Sequence, residues 1–430
     1  MPGHNGGKGF KKSFKKHILK YDITEINGAD NLHNSVGIIK KSLKKISEKE
    51  KCLQSFFLVN GSSSGIQTII KYMTLKGGEL LVSRDCHKSV INSVILFDYA
   101  VSFAFNDYDD INNVMLPISI NNLKESIDIN DKIKFVLITS PNYYGLTADI
   151  KNISKYLHER NIMLIVDQAH GSHFIHSKLL PDSALLNGAD VVIESVHKTL
   201  PTLNSGALLH VNSSLIDVKI LKEIINSLLT TSPSYMVMAT IEQAILKDLQ
   251  KEYRKLFKYI DDFKKTIKFN VLDNSDFSRV VINVENSSLS GYEIKDILSK
   301  KNIEIEMADL YNIVLITGPY HRKRDFQKLA KILNKLEYRE HGYEKQKPFP
   351  KATRAIKMSD AYKMHTKSIE LDGANGCVCG TMVVPYPPGI PLLYLGEIID
   401  NNSITYIKEI LNKNGEIIGV NKNIIKIIEE

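Results

Sequence analysis

The chain has 430 residues, of which 43% are hydrophobic, and a formal net charge of +8. This length supports a substantial core and two or three domains. No apolar stretch approaches the roughly 18 residues that span a bilayer, and the N-terminus lacks an apolar signal region, so we expect a cytoplasmic protein without membrane contact. The four cysteines are too few for a disulfide framework at this length.

Positive charge is densest near the N-terminus, at Lys8, Lys11, Lys12, Lys15, Lys16 and Lys20. A run of like charges is usually a solvated surface. No nucleic-acid-binding motif accompanies these lysines, and we therefore expect no nucleic-acid partner.

Apolar runs alternate with helix-like segments from about residue 55 to 260, and each run ends at a polar cluster. The runs lie at 56–59, 79–82, 134–138, 163–166 and 191–193. Strands that are nearly all apolar and separated by helices indicate an α/β fold with a parallel sheet covered on both faces. The polar clusters then share the carboxyl edge of the sheet, where such folds bind ligands. The first cluster is followed by a helix-like stretch from Ile66.

The second half of the chain continues the α/β pattern. Residues 235–265 predict one long helix, and 270–340 predict a second α/β unit with strands at 279–284 and 312–316. A polar linker with Pro348 and Pro350 is expected at 338–352, and a rigid proline-rich turn at 385–391. The predicted domains are a large one at 1–265, a small α/β one at 266–340 and a C-terminal one at 350–430.

Two charged residues follow neighbouring apolar runs. Asp167 closes the run at 163–166, and Lys198 lies in a Ser-x-His-Lys sequence with Ser195 and His197. A lysine amine forms a Schiff base with the aldehyde of pyridoxal phosphate (PLP). A carboxylate that faces the pyridine nitrogen keeps it protonated, so that the ring accepts electrons. The pair predicts a PLP enzyme, with chance charges at two strand ends as the alternative.

The first polar cluster predicts a phosphate site. Its residues are Gly61, Ser62, Ser63 and Ser64. Backbone N–H groups and hydroxyls at the positive end of a helix bind phosphate. The alternative is an ordinary turn that caps the helix.

Histidines follow two of the other strands. The ring of His87 could stack on a planar cofactor, or simply cap a helix. His170, His173 and His176 are spaced by three, which suggests metal ligands, but Gly171 interrupts a continuous helix and no carboxylate with ligand spacing joins them. We therefore expect no metal, and we place His170 in the cofactor pocket beside Asp167.

With these residues in place, the chain resembles the Orn/Lys/Arg decarboxylase family of PLP enzymes, in particular the short Gram-positive arginine or lysine decarboxylases. The similarity covers nearly the whole chain. It includes PGHNGGKGF, DITEINGADNLH, FFLVNGSSSGI, SRDCHKSV, TSPNYYG, VDQAHGSHF, LPDSALLNGADVVIESVHKTLP, TTSPSYMVMA and PYPPGIPLLYLGE. The resemblance implies an aspartate-aminotransferase-like fold, with a mostly parallel seven-stranded PLP-binding sheet between helices, a small α/β domain and a C-terminal domain.

The resemblance also implies roles for individual residues. Lys198 would form the Schiff base, Asp167 would face the pyridine nitrogen, and His87 would stack on the ring. Ser63, Ser64, Ser195 and His197 would hold the phosphate, and His197 could also assist proton transfer. The expected cofactor contacts are Gly61, Ser62, Ser63, Ser64, His87, Asp167, Ala169, His170, Ser195, His197 and Lys198, and the expected catalytic residues are Lys198, His197, Asp167 and His87.

The implied function is decarboxylation of arginine, lysine or ornithine to its amine, in polyamine formation. A homodimer or higher homo-oligomer is expected, with Thr231 and Ser232 reaching the neighbouring active site. There are two alternatives. The chain could catalyse another PLP reaction, such as aminotransfer, or it could be a non-catalytic relative that keeps the fold.

The chain departs from the family pattern at several places. Asn5 stands where a lysine is usual, and Asn204-Ser205 replace Thr-Gln after the lysine loop. A few positions before the proline-rich turn, where the family has an acidic residue, this chain has Thr381. If that acid binds the cationic end of the substrate, Thr381 weakens binding; otherwise another acid, such as Glu306 or Glu397, performs this task.

Overall fold

This computed structural model describes residues 3–339, 352–386 and 389–429. In chain order the strands are β1 (Gln54–Leu58), β2 (Glu79–Ser83), β3 (Val101–Ala104), β4 (Tyr108–Asp109), β5 (Val114–Met115), β6 (Ile133–Thr139), β7 (Met163–Asp167), β8 (Val191–Glu194), β9 (Ala207–Val211), β10 (Arg279–Asn283), β11 (Met307–Ala308), β12 (Asn312–Ile316), β13 (Thr366–Glu370), β14 (Val384–Pro385), β15 (Ile417–Ile418), β16 (Val420–Asn421) and β17 (Ile424–Ile428).

The α-helices are α1 (Lys12–Lys16), α2 (Ile38–Glu50), α3 (Ser62–Lys76), α4 (Lys88–Leu96), α5 (Ile120–Ile127), α6 (Ile150–His158), α7 (Val196–Thr199), α8 (Val218–Leu228), α9 (Tyr235–Leu246), α10 (Gln250–Lys264), α11 (Gly291–Ser299), α12 (Lys323–Leu333), α13 (Met358–Ala361) and α14 (Asn401–Asn412). Across the ranges given above, no helix combines the length and apolarity needed to cross a membrane.

A seven-stranded sheet forms the centre of the large unit, with strand order β1-β9-β8-β7-β6-β2-β3. Its strands are parallel except β9, which runs antiparallel to both β1 and β8. Alternate residues point to opposite faces: Leu80 and Val82 join one cluster of buried apolar side chains, and Leu81 joins another. Burial on both faces explains the near-continuous apolar runs, and the predicted α/β fold is confirmed.

Smaller sheets form the rest of the molecule. The second α/β unit has an antiparallel sheet of order β10-β12-β11, and the C-terminal segment has one of order β13-β17-β16. Two short antiparallel pairs, β4-β5 and β14-β15, complete the pattern. The predicted linker falls largely on 340–351, which includes Pro348 and Pro350 and lies outside the described residues, as do Pro387 and Pro388 of the predicted turn.

Two helix predictions were wrong in detail. The helix predicted over 235–265 is two helices, because Lys247 is extended (φ −70°, ψ 136°) and the Asp248 carboxylate accepts a hydrogen bond from the backbone N–H of Gln250 at 3.0 Å. The helix after β1 begins at Ser62 rather than Ile66. Gly61 makes this early start feasible with a φ of +82°, which is accessible to glycine at little cost.

A buried ion pair joins the C-terminal segment to the end of β2. The guanidinium of Arg84 donates to Glu397 Oε2 at 2.9 Å and to the backbone carbonyl of Leu392 at 3.0 Å. It also lies 3.6 Å from the centroid of the Tyr394 ring. Both charged side chains are at most 3% exposed, so each depends on the other for compensation.

We expect Glu397→Ala to lower the free energy of unfolding by about 3–5 kcal/mol, because it leaves the Arg84 guanidinium buried and unpaired. Urea unfolding of the purified protein measures this change. The matched control is Lys323→Ala, which removes an exposed partner of Asp262 and should leave the free energy of unfolding nearly unchanged, because solvent screens such a pair. Equal stability of the two variants would contradict the assignment.

Candidate functional site

Loops that follow β1, β2, β6, β7 and β8 meet in a cavity of about 490 Å³ at the carboxyl edge of the large sheet. All the predicted cofactor residues line it except Ser64. The Ser64 hydroxyl instead donates to the carbonyl of Gly61 at 2.7 Å, inside the first turn of α3, and the side chain is buried. Sequence motifs that are far apart in the chain are thus brought to one place.

One end of the cavity is suited to an anion. Helix α3 begins here, and no side chain caps its N-terminus. The hydroxyls of Ser62 and Ser63 line the cavity, and the Ser195 hydroxyl donates to Ser62 Oγ at 2.6 Å. Gly61 is held by a hydrogen bond from its N–H to the carbonyl of Ser205 at 2.8 Å. A helix N-terminus with adjacent hydroxyls binds phosphate.

Asp167 is the last residue of β7, and Lys198 lies in the short helix α7 that follows the adjacent parallel strand β8. Both side chains line the cavity. Burial lowers the pKa of the Lys198 amine, an effect that Asp167 and Glu306 oppose and Arg279 reinforces. Burial raises the pKa of Asp167, although Lys198 and a hydrogen bond from the N–H of Ala169 at 3.1 Å favour its ionised form. The site therefore favours a reactive, less strongly protonated amine.

A chain of three side chains fixes the proton on His170. A guanidinium only donates hydrogen bonds, so Nδ1 of His170 accepts from Arg279 Nη2 at 3.1 Å. Burial, followed by Lys198 and Arg279, lowers the pKa of His170 well below its usual value, and the ring is neutral. Its one proton is consequently on Nε2, which lies 3.1 Å from Lys198 Nζ. In this arrangement the lysine amine accepts the hydrogen bond from His170, which requires its uncharged form with a free lone pair.

The other two histidines of the cavity are neutral as well. Burial, with smaller contributions from Lys198 and Lys88, lowers the pKa of His87 to about 4. His87 Nδ1 accepts from the N–H of Ser89 at 3.2 Å, which orients the ring at the start of α4. His197 Nδ1 lies 3.0 Å from the carbonyl of Gly206, and burial lowers its pKa too. A neutral, oriented imidazole can stack on a flat ring.

Some predicted candidates lie elsewhere. Of the three histidines spaced by three, only His170 lines the cavity. His173 Nε2 lies 3.2 Å from Asp276 Oδ1, and the rings of His173 and His176 both stack on Tyr253. Thr381 does not line this cavity, and Glu397 is paired with Arg84. Asn204 and Ser205 do line it.

Sequence reasoning missed Arg279, Tyr143 and Thr139. Tyr143 lies in a motif that was noted, and its ring centroid is 6.0 Å from Lys198 Nζ. Thr139 ends β6 and lines the cavity. Arg279 is separated from its partner His170 by 109 positions, so no local pattern could reveal the contact.

The residues of the cavity fit PLP. They provide an anion site at α3, a buried amine, a carboxylate and a flat neutral imidazole. The hydroxyl of Thr139 is buried, and across residues 3–339, 352–386 and 389–429 it finds no hydrogen-bond partner. Buried polar atoms of this kind are usually satisfied, so a polar ligand in the cavity would complete its bonding.

Models of a known family match most of the chain. The model described as "Orn/Lys/Arg decarboxylase, major domain" matches residues 1–284, and the model of the C-terminal domain of the same family matches 337–425. An arginine decarboxylase of Halalkalibacterium halodurans is 30% identical over 438 residues, which cover 95% of this chain and 89% of the relative.

Two solved structures share the fold. The lysine decarboxylase LdcF of Francisella novicida matches with a TM-score of 0.82 at 18% identity, over 100% of this chain and 78% of that chain. A structure named SPT, which contains PLP, matches with a TM-score of 0.59 at 15% identity, over 76% of this chain and 84% of that chain.

Proposed function

Since the chain belongs to the Orn/Lys/Arg decarboxylase family, it is a decarboxylase of a basic amino acid, and we propose that it works with PLP held in the cavity at Lys198. The observation that supports this most is the convergence of Lys198, Asp167 and the start of α3 on one cavity. When bound, PLP supplies an acceptor for the electrons that remain after carbon dioxide departs.

Each end of the cavity would hold a different part of the cofactor. The amine of Lys198, whose pKa burial lowers, would be the attachment point. The N-terminus of α3, with Ser62, Ser63 and Ser195, would bind the phosphate. The Asp167 carboxylate would keep the pyridine nitrogen protonated, and the neutral ring of His87 would lie against the cofactor face.

Proton transfer requires groups that hold a proton beside the substrate carbon. His170 holds one on Nε2, next to Lys198 Nζ. His197 also lines the cavity, but its neutral ring holds its one proton on Nδ1 against the Gly206 carbonyl, so it would donate to the substrate only after taking up a second proton. A positioned group of this kind contributes about 10²–10⁴-fold to a rate.

We propose arginine as the preferred substrate. Lysine and ornithine are the alternatives that the experiment below compares with it. The support is the relative of Halalkalibacterium halodurans that is named arginine decarboxylase. Binding of a cationic substrate end requires an acid near the cavity. Glu306 is the candidate: it does not line the cavity itself, but its charge opposes the burial that lowers the pKa of Lys198 and of Arg279, so it lies within electrostatic reach of both.

The deciding experiment incubates PLP-loaded protein with arginine, lysine or ornithine and measures carbon dioxide and amine. Release of both from one substrate supports the proposal. Amino acid consumed without carbon dioxide would instead identify aminotransfer. Bound cofactor without turnover of any substrate would identify a non-catalytic relative.

We expect Glu306→Gln to raise KM for arginine about ten- to a hundredfold, because a charge-assisted hydrogen bond contributes roughly 1.5–3 kcal/mol. Steady-state kinetics on the three amino acids measure the effect. Glu304→Gln is the matched control, since Glu304 is an exposed neighbour bonded to the hydroxyl of Ser299. An unchanged KM in the Glu306 variant would place substrate recognition elsewhere.

We further propose that the active form is at least a homodimer in which 230–235 reaches the partner's cavity. Thr231 and Ser232 are exposed in the single chain, which leaves them available for such a contact. We expect light scattering of the active enzyme to give a dimer or larger assembly. An active monomer would contradict this expectation.

We also propose a cytoplasmic enzyme of polyamine formation. The cysteines Cys52, Cys86, Cys377 and Cys379 are free, as is usual for proteins of a reducing compartment. Cell fractionation together with measurement of the amine product tests both parts.

A further inference from the structure

A second cluster of ionisable side chains lies behind the cavity, where the end of α2 meets β8 and β9. It contains Glu50, Glu194 and His210, which are 1%, 0% and 0% exposed. In the sheet His210 pairs with Ser55 of β1 and with Val192 of β8. Glu194 lies two residues beyond Val192, so its side chain is on the same face of the sheet as the His210 ring.

The cluster contains four oxygen and nitrogen atoms that could bind a metal ion and that have no hydrogen-bond partner in the described part of the chain. They are both carboxylate oxygens of Glu50, Oε2 of Glu194 and Nε2 of His210. One donor atom from each residue lies within 4.8 Å of the others, and Glu194 Oε2 is 3.8 Å from His210 Nε2. An ion that binds oxygen and nitrogen at about 2.0–2.2 Å fits between donors with such separations after small adjustments.

Neighbouring groups direct these donors toward a common point. His210 Nδ1 lies 2.9 Å from the Ser55 hydroxyl, which leaves Nε2 facing the carboxylates. Glu194 Oε1 accepts from Gln168 Nε2 at 2.6 Å, which leaves Oε2 for the cluster. Metal-binding histidines and carboxylates are typically oriented by outer hydrogen bonds of this type.

The chemistry of these atoms is the second reason to expect a cation here. Carboxylate oxygen and imidazole nitrogen are ligands of divalent transition metals, and buried polar atoms without a hydrogen-bond partner require compensation. A divalent cation would bond to these atoms. Protons are the competing solution, because burial raises the pKa of Glu50 well above its usual value, and hydrogen bonds to Cys52 and Glu194 outweigh burial and raise the pKa of His210.

We propose that Glu50, Glu194 and His210 bind one divalent transition-metal ion, with Zn²⁺ as the best match to an imidazole and two carboxylates. The ion joins α2 to the two strands and does not touch the cavity. Glu194 precedes Ser195, and Gln168 follows Asp167. The ion thereby supports the strand ends that present both cavity residues.

The test uses full-length protein from cells grown with added Zn²⁺, because the buried cluster requires loading during folding. Metal analysis after dialysis against a chelator should find close to one Zn²⁺ per chain in the wild type. Glu50→Gln, which keeps the side-chain shape and removes a ligand charge, should lose it. Cys52→Ser is the matched control: the Cys52 thiol lies 3.7 Å from His210 Nδ1, on the side of the ring away from Nε2, so this variant should retain the ion.

Wild-type protein without stoichiometric Zn²⁺, or equal Zn²⁺ in the wild type and Glu50→Gln, would overturn the proposal and favour shared protons. Wild-type crystals provide a check that does not depend on a folded variant. Anomalous scattering at the zinc edge should give a peak between Glu50, Glu194 and His210. A peak only at another place, or no peak, would also overturn the proposal.

Discussion

Lys198→Ala is expected to abolish decarboxylation and covalent attachment of PLP together. The substitution removes the amine that anchors the cofactor and a group beside the reacting carbon, so the rate should fall by at least the roughly 10²–10⁴-fold of one positioned proton-transfer group. After borohydride reduction, peptide mass spectrometry should find PLP on Lys198 in the wild type and on no lysine in the variant.

An exposed lysine provides the control for this experiment. Lys219→Ala changes the surface of α8 and should leave both the label and the rate unchanged. If reduction labels a different lysine in the wild type, the attachment point has been assigned to the wrong residue. Retained turnover in Lys198→Ala would reject the mechanism.

Asp167→Asn is expected to reduce turnover by about 10²-fold or more, because a neutral amide does not hold the pyridine nitrogen protonated. The fold should persist. Burial raises the pKa of Asp167 above its unfolded value, so at neutral pH ionising this carboxylate costs folding free energy. The amide removes that cost, and the cofactor-free variant should unfold at the same or higher temperature.

Kinetics and thermal unfolding together separate the two effects. Asp182→Asn, at an exposed position, should change neither. A normal rate in Asp167→Asn would remove the proposed contact with the pyridine nitrogen. A strongly lowered unfolding temperature would show that the carboxylate has a structural role instead.

The α/β fold and the positions of the cavity residues followed from the sequence because both depend on local order. A buried parallel strand is a short apolar run, and the residue after it lies at the carboxyl edge. Asp167 and Lys198 could be placed in this way. The reversed direction of β9 could not, because the apolar pattern of a buried strand is the same in both directions.

Local sequence patterns could not predict contacts between distant parts of the chain. The hydrogen bond from Arg279 to His170, which fixes the imidazole proton, depends on how the second α/β unit is placed against the large sheet. The break between α9 and α10 was missed because Lys247 and Asp248 are compatible with a helix by type. Their extended and capping roles are decided by tertiary packing.

The buried pair of Arg84 and Glu397 limits how this protein can be divided or recombined. Arg84 is three positions before His87, and the N–H of Lys88 contacts the carbonyl of Gly389 at 3.4 Å. A shortened chain that ends before residue 352 would leave a guanidinium without its counter-charge beside the loop that presents His87. A chimera that carries the C-terminal segment of a relative must therefore have an acidic residue at position 397. Without it, the two parts of the chimera would not form a stable fold together.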